Sequence, residues 1–118
     1  MSNETSLTVR THIERLTAVD LTFRWRDRHG ENHEPTKMVT RHLFNTLKMI
    51  WNNNVPAYYR VGVNVRLYSF GPHYTNDYML KAIYQLGHEL TKRHLSAEQM
   101  RLLHQMASYF TNVKGLLT

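Results

Sequence analysis

The sequence predicts an α+β domain: a small antiparallel sheet of two to three strands packed against three helices, in the order β-β-α-β-α-α. Three observations carry this. Residues 19–26 and 61–68 alternate apolar and polar side chains with the two-residue period of a strand. Residues 36–52, 76–93 and 97–113 repeat apolar side chains at helical spacing, and turn-forming residues fall between these blocks. The chain of 118 residues, 42% hydrophobic and 20% charged, matches one domain over 1–118, with no internal repeat or Gly/Ser-rich linker to divide it.

The elements follow in order. Leu7, Val9, Thr11 and Ile13 alternate with Thr8, Arg10, His12 and Glu14, which predicts a first strand near 7–14. Val19, Leu21, Phe23 and Trp25 share one side of the next strand, with Asp20, Thr22, Arg24 and Arg26 on the other. Asp27-Arg28-His29-Gly30-Glu31-Asn32 has turn chemistry, with Gly30 able to take positive φ. Pro35-Thr36 then opens a helix with Thr36 as its cap, running to about Asn52. Val39, Leu43, Leu47 and Ile50 form its buried stripe, joined by Phe44 and Trp51, while Arg41, Asn45, Lys48 and Asn52 face outward. Asn52-Asn53-Asn54 and Pro56 end it.

Val61, Val63, Val65 and Leu67 alternate with Gly62, Asn64, Arg66 and Tyr68, a third strand ending at Ser69-Phe70-Gly71-Pro72. Thr75 or Asn76 caps a second helix that buries Met79, Leu80, Ile83, Leu86 and Leu90 and reaches about Arg93. Ser96-Ala97-Glu98-Gln99 is a capping box, with Leu95 as staple, and starts a third helix carrying Met100, Leu103, Met106, Phe110 and Val113. The last two helices form an αα-hairpin.

Composition narrows the chemistry. With no cysteine, disulfides, thiolate metal sites and cysteine nucleophiles are excluded. The absence of a signal-peptide pattern or a membrane-length apolar run gives a cytoplasmic location and no membrane partner as expectations. The five glycines are isolated from one another, so no phosphate-cradling loop is present. Ser69 lacks the flanking glycine of a nucleophile elbow, Leu67 standing in its place. His88-Glu89-Leu90-Thr91-Lys92 has Lys92 where a zinc-protease helix needs its second histidine. His29 and His33 are four apart, but in a loop with no helical geometry to converge them. No cofactor, metal or catalytic residue is expected from these patterns.

Charge is the most informative feature. Residues 1–36 carry five Arg against six acids, residues 37–74 five Lys/Arg against none, and residues 75–118 five Lys/Arg against three acids. The middle segment interleaves its cations with aromatics, the two ingredients of single-stranded nucleic-acid sites: charges that track phosphates and rings on which bases stack. The expected function is therefore non-enzymatic binding of nucleic acid, or of an acidic or nucleoprotein partner. Its contacts are Lys37, Arg41, Lys48, Tyr58, Tyr59, Arg60, Arg66 and Tyr68.

Two alternatives come from other classes. The same patch suits an accessory protein of phage or plasmid type that inhibits a host enzyme complex by protein contact. A metal-dependent enzyme would instead assemble His29, His33, His42 and His73 from distant segments. The αα-hairpin also has the form of a helix-turn-helix, although Glu98 would face phosphates there. Met100, Met106, Tyr109 and Phe110 exceed what one small sheet covers, which leaves a homodimer through the C-terminal helices open.

Overall fold

The computed structural model describes residues 15–117, with side chains described as far as residue 112. It is an α+β fold. A two-stranded antiparallel sheet, β1 (Trp25–Arg26) and β2 (Asn32–His33), is followed by three long helices: α1 (Thr40–Asn54), α2 (Asn76–Leu90) and α3 (Ala97–Leu117). Short 3-10 turns stand at Pro35–Lys37 and Ala57–Tyr59. The strand expected at 7–14 lies outside the described residues.

The core lies chiefly between α1 and α2. Leu43, Leu47, Ile50 and Trp51 meet Met79, Leu80, Leu86 and Leu90, with Leu102 and Met106 of α3 and Phe23 and Trp25 completing the layer. The stripes expected from spacing on α1 and α2 are buried, with Val39 the exception. Both later caps form as expected. Thr75 Oγ1 accepts from the Tyr78 amide at 3.1 Å. In the capping box, Ser96 Oγ accepts from the Gln99 amide at 3.1 Å and Gln99 Oε1 from the Ser96 amide at 3.0 Å. In α3, Met106 is buried, Tyr109 and Phe110 are half-buried against the core, and Met100 is exposed. No helix among the described residues is long and apolar enough to cross a membrane.

Four local expectations are corrected, each by a side chain that competes for backbone. In the 19–26 run only Trp25–Arg26 joins a ladder, and Val19 and Leu21 are exposed. Asp20 takes the Thr22 amide and hydroxyl on its carboxylate, and its carbonyl accepts from Phe23, which folds a turn where the strand was expected. The carboxylate of Asp20 also pairs with Lys81, and these hydrogen bonds, the Lys81 one first, hold it well below the usual carboxylate range. Buried Gln85 fixes the same segment, accepting from the Asp20 amide and donating to the Ala18 carbonyl.

The 61–68 segment forms no strand. Asn52, placed by its spacing on the outward face of α1, is buried and exchanges two hydrogen bonds with Val61: its Nδ2 donates to the carbonyl at 2.9 Å, and its Oδ1 accepts from the amide at 2.8 Å. A side-chain amide thus occupies the ladder positions that a neighbouring strand would have used. Gly62 (φ 83°) and Asn64 (φ 55°) then turn left-handed, which breaks the pleat. Val61 is buried, whereas Val63 is 83% exposed and Leu67 lies on the surface.

The start of the first helix moves from Thr36 to Thr40. Pro35–Lys37 closes a 3-10 turn, and Val39 is the cap residue, extended and exposed rather than buried. The second helix ends at Leu90, so Arg93 lies beyond it, and the reason is visible in its contacts. Its guanidinium donates to Glu89 Oε2 (3.0 Å), the Met38 carbonyl (2.8 Å), Thr40 Oγ1 (3.1 Å) and the carbonyls of Pro35 and Thr36 (3.2 and 3.3 Å). Arg93 clamps the entry of α1 to the exit of α2.

Candidate nucleic-acid interface

The hairpin of β1 and β2 is built on Asp27. The amide of Asp27 donates to the Glu31 carbonyl, Gly30 (φ 81°) donates back to the Asp27 carbonyl, and Asp27 Oδ1 accepts from the His29 and Glu31 amides. Asp27 Oδ2 meets His33 Nε2 at 2.8 Å. The imidazole, helped by the two amides, pulls the Asp27 carboxyl down to about 2. A tight turn therefore projects Arg28 and His29 into solvent beside Arg26.

The free edge of β1 is satisfied by two tyrosines. The Tyr78 hydroxyl accepts from the Arg26 amide (2.8 Å) and donates to the Arg24 carbonyl (2.9 Å), and the Tyr74 hydroxyl donates to the Arg26 carbonyl (2.8 Å). Burial pushes the ionisation of both phenols upward. The Tyr78 ring stacks on Trp25 at a centroid distance of 5.7 Å and the Tyr74 ring packs tilted against it at 5.5 Å, while Phe70 and His73 pack on Tyr74 at 5.1 and 5.0 Å. This aromatic wall draws the 68–74 loop alongside the hairpin.

Between hairpin, loop and α1 lies a cleft of about 760 Å³. Arg26, Arg28, His29, His42 and His73 line it together with Tyr68, Phe70 and Tyr74, and Thr46 and Met49 form its floor with Trp25. Neither Arg26 nor Arg28 forms an ion pair with a described carboxylate, and Asp27, the acid among the lining residues, is engaged by His33 and two amides. The cleft is thus lined by ring edges and by cations that have no partner among the described carboxylates. A second cleft, of about 450 Å³ and largely apolar, runs between α2 and α3 past Trp51, Leu95 and Phe110.

Of the residues expected to bind, Tyr68 lines the basic cleft, its amide tied to Asn53 Oδ1. Arg41 and Arg66 are exposed elsewhere on the surface. Lys37 is paired with Glu34, and Lys48 lies along Gly62. Arg60 donates to the Asn52 carbonyl, and Tyr59 packs on Tyr109, with exposed Tyr58 tilted against it at 4.6 Å. Arg26, Arg28 and His29, which the 37–74 window omits, are brought in by the hairpin. The outward alternation of Arg24 and Arg26 and the basic turn were visible in sequence, but their placement beside residues 68–74 was not. Among the four histidines considered together, His29, His42 and His73 share the cleft, and the rings of His33 and His42 stand 5.3 Å apart, edge to face.

Comparison with protein-family models, curated proteins and solved structures returned no match.

Proposed function

We propose that the protein is a non-catalytic binder of single-stranded nucleic acid, free or within a nucleoprotein, and that the strand lies in the cleft between the hairpin and the 68–74 loop. One observation carries this reading: Arg26 and Arg28, neither of them paired with a described carboxylate, line the same cleft as Tyr68, Phe70 and Tyr74. Guanidinium groups take phosphate oxygens as bidentate partners, and rings of this kind take unstacked bases, a combination that suits a single strand better than a closed duplex. Tyr68, half-exposed at the mouth, is the stacking platform, while Tyr74, committed through its hydroxyl to the hairpin, forms the wall.

The test is fluorescence anisotropy of labelled single-stranded DNA and RNA across a salt series. Each phosphate contact on a single strand contributes about 0.7 to the slope of log affinity against log salt, so Arg26→Ala with Arg28→Ala should flatten it by about 1.4. Tyr68→Ala should cost ~1–3 kcal/mol of affinity with the slope unchanged. Binding that ignores salt, or that survives both changes, overturns the reading. No binding to any nucleic acid at low salt would move the cleft to an acidic protein partner.

A further inference from the structure

The hairpin turn places donor atoms of Asp27, Glu31 and His33 within 4.8 Å of one another, and the ring of His42, from the first turn of α1, stands 5.3 Å from that of His33. We infer that these four side chains form a binding site for a divalent transition metal, with Zn²⁺ the best fit. Two imidazoles and two carboxylates are a donor set that zinc accepts in tetrahedral geometry, and the mixture of nitrogen and oxygen disfavours the all-oxygen cations Ca²⁺ and Mg²⁺.

Two ligand atoms each about 2.0–2.1 Å from a tetrahedral ion lie about 3.3 Å apart. Asp27 Oδ2 and His33 Nε2, now 2.8 Å apart across a hydrogen bond, need separate by only about 0.5 Å for the metal to take the proton's place. Glu31 has an exposed side chain and closes the remaining distance by a rotamer change. Asp27 is already oriented: its Oδ1 is held by the His29 and Glu31 amides, which leaves Oδ2 directed at the site, the arrangement by which an outer layer of hydrogen bonds fixes a metal-binding carboxylate.

Sequence spacing argues against a metal held by His29 and His33, because that pair falls in a loop. The structure changes the membership: the β-turn converges Asp27, Glu31 and His33, and His42 joins from the helix, while His29 is not a ligand. The site stands at the rim of the basic cleft but does not depend on nucleic-acid binding, which is measured separately in chelator-containing buffer.

The test is a zinc titration of the full chain, free of any histidine tag, by calorimetry and by competition with a chromophoric chelator. Co²⁺ substitution reports tetrahedral geometry through its visible absorption. One zinc per chain is expected. Glu31→Gln and His42→Ala alter exposed side chains that form no hydrogen bond among the described residues, so both variants should fold. Each should weaken zinc by more than the roughly 10–100-fold typical of an outer-layer partner. His104→Ala, on α3, should leave affinity unchanged. Absence of saturable binding, or unchanged affinity in both Glu31→Gln and His42→Ala, overturns the assignment.

Discussion

Replacing Arg93 by Ala tests the clamp that joins the two main helices. The guanidinium makes five hydrogen bonds, one to Glu89 and four to the 35–40 segment, and its side chain is 18% exposed. Truncation leaves the Glu89 side chain, 11% exposed, with a distant Lys92 ammonium at 4.0 Å as its one remaining ion-pair partner among the described residues. Breaking a fully buried pair costs about 3–5 kcal/mol; partial exposure lets water replace some of the lost bonds, so about 3 kcal/mol is expected here. For a chain of this length that lowers Tm by roughly 10–15 °C. Arg93→Lys should recover less than half of the loss, because an ammonium keeps the Glu89 attraction but cannot span four acceptors at once. Urea unfolding of the three proteins gives the comparison. A loss below ~1 kcal/mol for Arg93→Ala, or full rescue by Lys, would refute the clamp and show the 35–38 carbonyls to be satisfied by solvent.

Two further outcomes follow from the same geometry. Because the folded-state pKa of Asp27 is depressed, its contribution to stability is fully present above its unfolded value of about 4 and is lost as pH falls toward about 2. Acid titration followed by hairpin amide exchange should show loosening in that window, and Asp27→Asn should abolish the pH step. Val61→Ala should destabilise by ~2 kcal/mol through two buried methyl groups and the space they leave, while Val63→Ala should change stability by less than about 0.5 kcal/mol; equal losses would mean that the strand expected at 61–68 exists after all.

What was legible in the sequence was what is decided locally. The Thr75 cap, the Ser96–Gln99 box and the apolar spacing of α1 and α2 depend on residues within a turn or two of one another, and all are found. The 19–22 and 61–68 runs were misread because alternation records only which side chains are apolar. It does not record that Asp20 captures its own backbone, or that Asn52 reaches across to occupy Val61. The clamp was illegible for a related reason: Arg93 meets carbonyls more than fifty residues earlier. The cleft falls between these cases. Its rings and cations were apparent by type, and Tyr68 was picked out, but Arg26, Arg28 and His29 join only because Tyr74 and Tyr78 bind the edge of β1 from a distant helix and its approach.

That edge has a bearing on how the molecule behaves in company. A two-stranded sheet ordinarily presents two open rows of amides and carbonyls, each an invitation for another chain to add itself as a strand. On one side of β1 those groups are answered by phenol oxygens, which accept and donate as a strand would but have no further peptide groups to offer beyond them. An intruding chain would have to dislodge two rings packed on Trp25 before finding a single free amide. The sheet is closed to growth there without being rolled into a barrel, and one of the two rings that close it, that of Tyr74, also walls the cleft.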